Sequence, residues 1–214
     1  MDIKIEKLAP GDIERRSMEI ISEGLTGKRI PEKDMDIVKR VIHASADFDY
    51  ADNLVFSQNA VDKGLGAINS GCVIVTDTQM AKAGINKRVL TGFGGEVVCF
   101  MSDPDVAAEA RVRGITRAAV SMERAVEIDR PVILALGNAP TALIRACELI
   151  ESGVLMPELV IGVPVGFVNV VESKELIMSV PCEYIVARGR KGGSGIAAAI
   201  CNALLYTVSG GERE

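Results

Sequence analysis

The chain contains a single histidine, His43, within the segment RVIHASAD. On a helix, the residues three, four and seven positions away lie on the same face as His43. Four of those residues are charged: Asp36, Lys39, Arg40 and Asp47. An imidazole has an unperturbed pKa of about 6.5 and exchanges a proton near neutral pH. His43 is therefore the first candidate for a general acid or base, and a solvated surface histidine is the alternative that these residues leave open.

A second group of charges lies in RGRKGGSG, residues 188–195, where Arg188, Arg190 and Lys191 stand beside glycines. The segment is either a solvated flexible loop or a clamp for a carboxylate or phosphate. Arginine binds such anions through paired hydrogen bonds, and exposed amides at a helix start add to the attraction. Its predicted position after a strand favours the anion clamp.

The segment GNAPTAL, residues 137–143, is predicted to be a turn between a strand and a helix. It is either an ordinary turn with a helix-entry proline or a loop whose backbone lies against a ligand. It matches neither the dinucleotide-binding G-x-G-x-x-G pattern nor a P-loop, and it lacks the P-loop lysine. Nucleotide binding therefore has little support.

Arg117 is a further candidate cation, because it follows a predicted helix break at Gly114 and opens a new helix. Arg111 and Arg113 precede the break and are predicted to be helix-surface charges. Arg117 can therefore point in a different direction from these two residues.

Two N-terminal helices are predicted to precede an alternation of strands and helices. The helical segments are GDIERRSMEIISEGL and PEKDMDIVKRVIHASAD, the second starting at a proline with acidic residues in its first turn. From residue 72, five apolar segments alternate with helices: CVIVTDT, VVCFMSDPD, PVILALGNAPT, LVIGVPVGF and CEYIVARGRKGGSG. Continuous apolar strands are typical of a parallel sheet covered on both faces. The pattern predicts an α/β fold, a doubly wound three-layer sandwich of about five mainly parallel strands with N-terminal helices.

The predicted topology gathers the loops after the strands at one edge of the sheet. Each strand segment ends in polar or small residues, such as TDTQM, LGNAPT and RGRKGGSG. Open α/β sheets bind their ligands at this carboxyl edge, where helix amino termini also favour anions. We therefore expect the ligand site there.

The composition indicates one soluble domain over residues 1–214. The net charge is −5, from 24 basic and 29 acidic residues, which argues against nucleic acid or an anionic membrane as partner. The longest apolar stretch, GIAAAICNALLYTV, is too short to span a bilayer, and we expect a cytoplasmic protein. The five cysteines form no C-x-x-C pair, so reduced, buried thiols are expected and a metal site is not.

Taken in order along the chain, the motifs resemble the precorrin-8X methylmutase family, including the cobalt-precorrin-8 methylmutases of cobalamin biosynthesis. The matching segments are RSMEII, VIHASAD, LVFSQNAV, VTDTQMAKAGI, GNAPTAL, GVPVGFVNVVESKE and VARGRKGGS. They cover nearly the whole chain, and their combination is more specific than any one of them. The sequence departs from the family where SQNAV replaces a common Ser-Pro turn, which affects only the detail of that loop.

The resemblance implies a flavodoxin-like fold and an isomerase. The family moves a methyl group from ring carbon 11 to ring carbon 12 of a contracted tetrapyrrole, formally a 1,5-sigmatropic shift. The product is hydrogenobyrinic acid, or cobyrinic acid when cobalt is already present. Members are typically homodimers with the site near the subunit interface, and the resemblance implies no cofactor beyond any cobalt carried by the substrate.

The resemblance also implies roles for individual residues. It makes His43 the general acid and places Ser17, Arg40 and Arg117 at positions that contact the substrate. Asp77, at a strand end, is expected to bind the substrate at a ring amide or to orient His43. Arg188 and Arg190 are expected to bind the carboxylate arms of the substrate. Two other functions are weighed against this one: a corrinoid carrier that binds without turnover, and a flavin- or nucleotide-binding protein suggested by the fold alone.

Overall fold

A six-stranded sheet forms the centre of the fold in the computed structural model, which describes residues 6–211. Its strands are β1 (Leu54–Phe56), β2 (Val73–Thr76), β3 (Glu96–Val98), β4 (Val132–Leu136), β5 (Leu159–Gly162) and β6 (Tyr184–Ala187). The order across the sheet is β1-β6-β5-β4-β2-β3. All pairs are parallel except β1 with β6. The predicted doubly wound sheet and its five parallel strands are confirmed.

The five parallel strands follow the flavodoxin-like order, because the second parallel strand lies outside the first and the later three continue in the other direction. The chain therefore reverses its direction of winding between β2 and β4, which is the switch point of the sheet. Strand β1 was not predicted. It has only three residues and adds an antiparallel edge to β6.

Helices surround the sheet: α1 (Pro10–Gly24), α2 (Glu32–Ser45), α3 (Tyr50–Asn53), α4 (Ala60–Asn69), α5 (Gln79–Gly84), α6 (Lys87–Gly92), α7 (Pro104–Arg113), α8 (Arg117–Ala125), α9 (Pro140–Glu151), α10 (Val170–Ile177) and α11 (Ser194–Val208). The two N-terminal helices are confirmed. So is the break at Gly114, which adopts a left-handed conformation at φ 66° and ends α7. Thr116 then caps α8 by accepting a hydrogen bond from the Ala119 amide.

Alternate side chains of each parallel strand fill two separate apolar layers. On one face, Ile74 and Ile133 pack with residues of α2, α4 and α11. On the other face, Val75 and Leu134 pack with residues of α8, α9 and α10. Burying each large aliphatic side chain contributes about 1.5–3 kcal/mol, so the two layers hold the strand ends at a fixed spacing. No helix among residues 6–211 is long and apolar enough to cross a membrane.

Candidate active site

His43 lies near the carboxyl end of α2, on the charged face predicted from the sequence. Val41 and Ile42 point into the core and are buried, whereas His43 is exposed. Partial desolvation, and secondly the positive charge of Arg40, lower the pKa of His43 below its usual value. Within residues 6–211 its ring makes no hydrogen bond that would fix it in one protonation state. The imidazole can therefore deliver a proton to a molecule that covers this face.

Arg40 lies three residues before His43 on α2, and Ser17 lies on α1, which packs against α2. The Arg40 guanidinium donates a hydrogen bond to Glu14 at 2.8 Å and lies 5.4 Å from the centre of the Tyr206 ring. It borders a cavity of about 470 Å³ lined by Met18, Asp36, Lys39, Ala203, Tyr206, Thr207, Gly210 and Gly211. The Ser17 hydroxyl donates to the Ile13 carbonyl of its own helix at 2.9 Å. Both predicted residues already have partners in the protein.

Asp47, the acidic residue four positions after His43, forms an ion pair with the loop that follows β6, residues 188–193, which we call the basic loop. The Lys191 ammonium group lies 2.6 Å from Asp47 and 2.7 Å from Asp49. The hydrogen bond from Lys191 lowers the pKa of Asp47. The end of α2 and residues 188–193 therefore form one continuous surface.

The four predicted cations differ in whether an acidic side chain already neutralises them. Arg40 is paired with Glu14, and Arg188 donates to Glu175 at 3.2 and 3.3 Å. Arg190 has no carboxylate partner within residues 6–211, and its guanidinium lies 6.0 Å from the centre of the Phe167 ring. Arg190 is therefore better placed than Arg188 to bind a carboxylate arm.

Arg117 opens α8 as predicted and donates to the Met101 carbonyl at 3.1 Å. Met101 follows β3, the edge strand, whereas Arg190 follows β6, four strands away. At about 4.8 Å per strand, this separation is about 19 Å. The structure therefore does not bring Arg117 and Arg190 together within one protomer.

Asp77 lies at the switch point of the sheet and is fully buried. Its carboxylate accepts hydrogen bonds from the backbone amides of Gly137, Asn138 and Ala139 at 2.9, 2.7 and 2.6 Å. Burial raises the pKa of Asp77, and the three amide donors oppose that increase. From the sequence, Asp77 is expected to contact the substrate or orient His43. In the structure both carboxylate oxygens hold the 137–139 turn, so Asp77 shapes the sheet edge rather than presenting a free ligand.

The 137–139 turn packs directly against the loop after β6, backbone to backbone. A Cβ atom at Gly137 would lie 2.7 Å from the Gly193 carbonyl oxygen, and one at Gly192 would lie 2.1 Å from the Val163 oxygen. These distances leave no room for a side chain. In GNAPTAL the glycine therefore accommodates a neighbouring strand-end loop.

Lys174 holds the backbone of the basic loop through hydrogen bonds. It lies in α10, is fully buried, and donates to the Gly189 and Lys191 carbonyls, each at 2.8 Å. Desolvation lowers its pKa to about 8. It was not among the residues singled out from the sequence.

Neither a metal cluster nor a disulfide is found among residues 6–211. No group of three or more His, Cys, Asp and Glu side chains is arranged to hold an ion. The cysteines are unpaired, and four of the five are buried. Burial raises the pKa of Cys72 to about 11, which keeps this thiol protonated and unreactive near neutral pH.

The family profile of the precorrin-8X methylmutases matches residues 12–207 of the chain. The matched segment contains the strands, all the predicted site residues and the loops that meet at the carboxyl edge. The chain belongs to this family.

Several precorrin-8X methylmutase relatives are similar over most of their length. A cobalt-precorrin-8 methylmutase from Priestia megaterium is 40% identical over 215 residues, which cover 99% of this chain and 96% of the relative. One from Salmonella typhimurium is 49% identical over 171 residues, 79% of this chain and 80% of the relative. The solved precorrin-8X methyl mutase from Thermus thermophilus is 39% identical, with a TM-score of 0.86 covering 95% of this chain and 100% of that one. The methylmutases are isomerases, and the shared fold places this chain among them.

Two residues of the precorrin-8X methylmutase motifs, Lys174 and Asp77, anchor loops in the structure, and the sequence did not reveal these roles. Lys174 belongs to the ESK segment and Asp77 to the TDT segment. The available signal for Lys174 was that the residues three and four positions away on the same helix face are apolar, for example Val170 and Ile177. A lysine on the inner face of a helix needs acceptors. For Asp77, a carboxylate directly after a buried strand was ambiguous between a ligand and a loop anchor.

Proposed function

We propose that the chain moves a methyl group from ring carbon 11 to ring carbon 12 of precorrin-8X or cobalt-precorrin-8. The products are hydrogenobyrinic acid and cobyrinic acid, respectively. The observation that carries this proposal is the family match over residues 12–207, joined to relatives of 40–49% identity that are named cobalt-precorrin-8 methylmutases. The reaction is an isomerisation, because the methyl group leaves and arrives within one molecule.

His43 is the general acid in this proposal. Protonation of a ring nitrogen, or of the conjugated system next to it, withdraws electron density from the ring and eases the migration. The position of His43 on a charged, exposed helix face supports the assignment, and no second histidine competes for the role. A positioned acid contributes roughly 10²–10⁴-fold to a rate.

The cations hold the carboxylate arms of the substrate. Arg190 and Arg117 support this part of the proposal, because neither has an acidic partner among residues 6–211. Arg40 and Arg188 are paired with Glu14 and Glu175. In this proposal a substrate carboxylate binds each arginine either in place of its glutamate or beside it. Ser17 supplies a hydroxyl beside Arg40. Orientation of a bound ring by several such contacts contributes several kcal/mol to the rate acceleration.

The proposed reaction uses no protein-bound cofactor or metal ion. A methyl shift within one molecule changes neither the oxidation state nor the atom count of the substrate, so it needs no external oxidant or methyl donor. Any cobalt is carried by the substrate.

The working form is proposed to be a homodimer in the cytoplasm, with the site near the subunit interface. The exposure of His43 supports this arrangement, because a second copy that covers the helix face would exclude water from the reaction. The unpaired thiols support the proposed location in the cytoplasm, because they are typical of a reducing compartment. Light scattering coupled to size-exclusion chromatography should give twice the mass of the chain. A monomer that retains full activity would contradict the proposed interface site.

Single-turnover spectroscopy tests the proposed function. Excess protein is mixed with precorrin-8X, and separately with cobalt-precorrin-8, while the visible spectrum is followed. We expect conversion of at least one substrate to its corrinoid product. If the protein binds both compounds and converts neither, it is a corrinoid carrier and the proposed mutase activity is wrong.

The activity is expected to fall as the pH rises, with a midpoint below 6.5. A general acid must be protonated in the free enzyme, and the pKa of His43 is lowered from 6.5 by desolvation and by Arg40. The pH dependence of kcat/KM reports groups of the free enzyme and is measured between about pH 5 and pH 8. A kcat/KM that stays constant over this range would exclude His43 as the acid.

A further inference from the structure

The basic loop after β6 rests on a buried amine. Lys174 has no exposed surface, and its Nζ atom donates to the carbonyl oxygens of Gly189 and Lys191, each at 2.8 Å. These two residues flank Arg190. The Lys174 side chain therefore fixes the backbone on both sides of the one loop arginine that lacks an acidic partner within residues 6–211.

The carbonyl group of Arg190 itself is also held. It accepts a hydrogen bond from the Gly166 amide at 3.2 Å, so three successive carbonyl groups of the loop have protein donors. With the backbone fixed in this way, the Arg190 side chain projects outward, over the exposed ring of Phe167 at 6.0 Å. Because the backbone of Arg190 is already held at three points, anion binding has to order only its side chain and not the loop.

Stability alone does not explain a lysine at this position. Moving an ammonium group out of water is costly unless an acidic group compensates for it. The groups that contact the Lys174 Nζ atom are two neutral carbonyls, and the nearest acidic residue in sequence, Glu175, is paired with Arg188 on the surface. Desolvation accordingly lowers the pKa of Lys174 to about 8. An apolar side chain would fill this space without that penalty, but it could not hold the loop.

We propose that Lys174 is a positioning residue that preorganises Arg190 to bind a carboxylate arm of the corrinoid substrate. This inference rests on the proposed function, since it assumes a substrate with carboxylate arms. Lys174 acts through the loop and does not touch the substrate. Its loss should therefore weaken substrate binding and leave the chemical step nearly unchanged.

A double-mutant cycle in which hydrogenobyrinic acid is the ligand tests the proposal. Its dissociation constant is measured by absorbance titration for the wild type, Lys174→Met, Arg190→Ala and the double variant. We expect about 10–100-fold weaker binding for each single variant. The double variant should bind no more weakly than Arg190→Ala alone, because Lys174 acts only through Arg190. Two independent, additive losses would overturn the proposal.

Arg130 provides the matched control. It also donates to two backbone carbonyls, those of Gly71 and Gly94, but these residues precede β2 and β3 at the opposite edge of the sheet. Arg130→Met should lower stability without changing the affinity for hydrogenobyrinic acid. If both Lys174→Met and Arg130→Met weaken binding equally, the effect of Lys174 is a general loss of stability and the proposal fails.

Two further measurements keep the test decisive. If Lys174→Met does not fold, the same cycle is run with Lys174→Gln, which retains an N–H donor and should recover part of the affinity. Single-turnover rates at saturating substrate should change by less than about threefold in any folded Lys174 variant. A larger loss of kcat would contradict a positioning role. The proposed function fails separately, if the wild type converts neither precorrin-8X nor cobalt-precorrin-8.

Discussion

Replacement of His43 with alanine is expected to reduce the single-turnover rate of methyl migration by about 10²–10⁴-fold. Binding of hydrogenobyrinic acid should change by less than about threefold, since the arginines and the apolar surface hold the ring. The large difference between these two effects follows from the proposed role of His43, which acts on the migrating system and not on the carboxylate arms. Single-turnover absorbance spectroscopy measures the rate, and titration measures the affinity.

Two variants of α2 separate the loss of the acid from damage to the helix. His43→Asn keeps a polar group of similar size but no proton to donate near neutral pH, so it should be as slow as His43→Ala. Glu32→Gln changes an exposed residue in the first turn of the same helix and should leave the rate intact. A His43→Ala protein that converts substrate at the wild-type rate would show that His43 is an ordinary surface histidine.

The sheet was largely predictable from the sequence, because four of its five parallel strands, β2, β4, β5 and β6, are buried on both faces over most of their length. Such strands are continuous apolar segments, as in VIVT of β2 and VILAL of β4. The break between α7 and α8 was predictable as well, since Gly114 occupies a left-handed conformation that favours glycine. Strand β1 was not, because three residues give no periodicity and its pairing with β6 joins segments far apart in the chain.

The candidate site was predictable where it depends on the period of one helix and unpredictable where it depends on contacts between distant segments. The charged face around His43 follows from helical spacing alone. The ion pair between Lys191 and Asp47 spans 144 residues of sequence, and the hydrogen bonds from backbone amides that anchor Asp77 to the 137–139 turn span about 60. No local pattern encodes such a partner, so residue type indicated that these side chains matter without indicating their roles.

Asp77→Ala is expected to lower the free energy of unfolding by about 3–5 kcal/mol. The change removes a buried carboxylate and leaves the buried amide of Gly137 and the partly buried amides of Asn138 and Ala139 without their acceptor. An unsatisfied buried donor costs about 1–3 kcal/mol. Asp77→Asn keeps the shape and one oxygen acceptor but directs an NH₂ group at amide donors, so a smaller loss of about 1–3 kcal/mol is expected. Urea denaturation followed by circular dichroism measures both values.

Arg117→Ala is the control that distinguishes an anchor of the fold from a contact with the substrate. Arg117 is exposed, so its replacement should change stability by no more than about 0.5 kcal/mol and weaken the binding of hydrogenobyrinic acid. Asp77→Ala should show the opposite pattern at a temperature where it remains folded, with a large loss of stability and a smaller loss of affinity. A stable Asp77→Ala protein that no longer binds the corrinoid would restore Asp77 as a substrate ligand. The smaller loss of affinity expected for Asp77→Ala has a structural reason. The 137–139 turn, which Asp77 anchors, packs on Gly193 of the basic loop, so a displaced turn also displaces that loop.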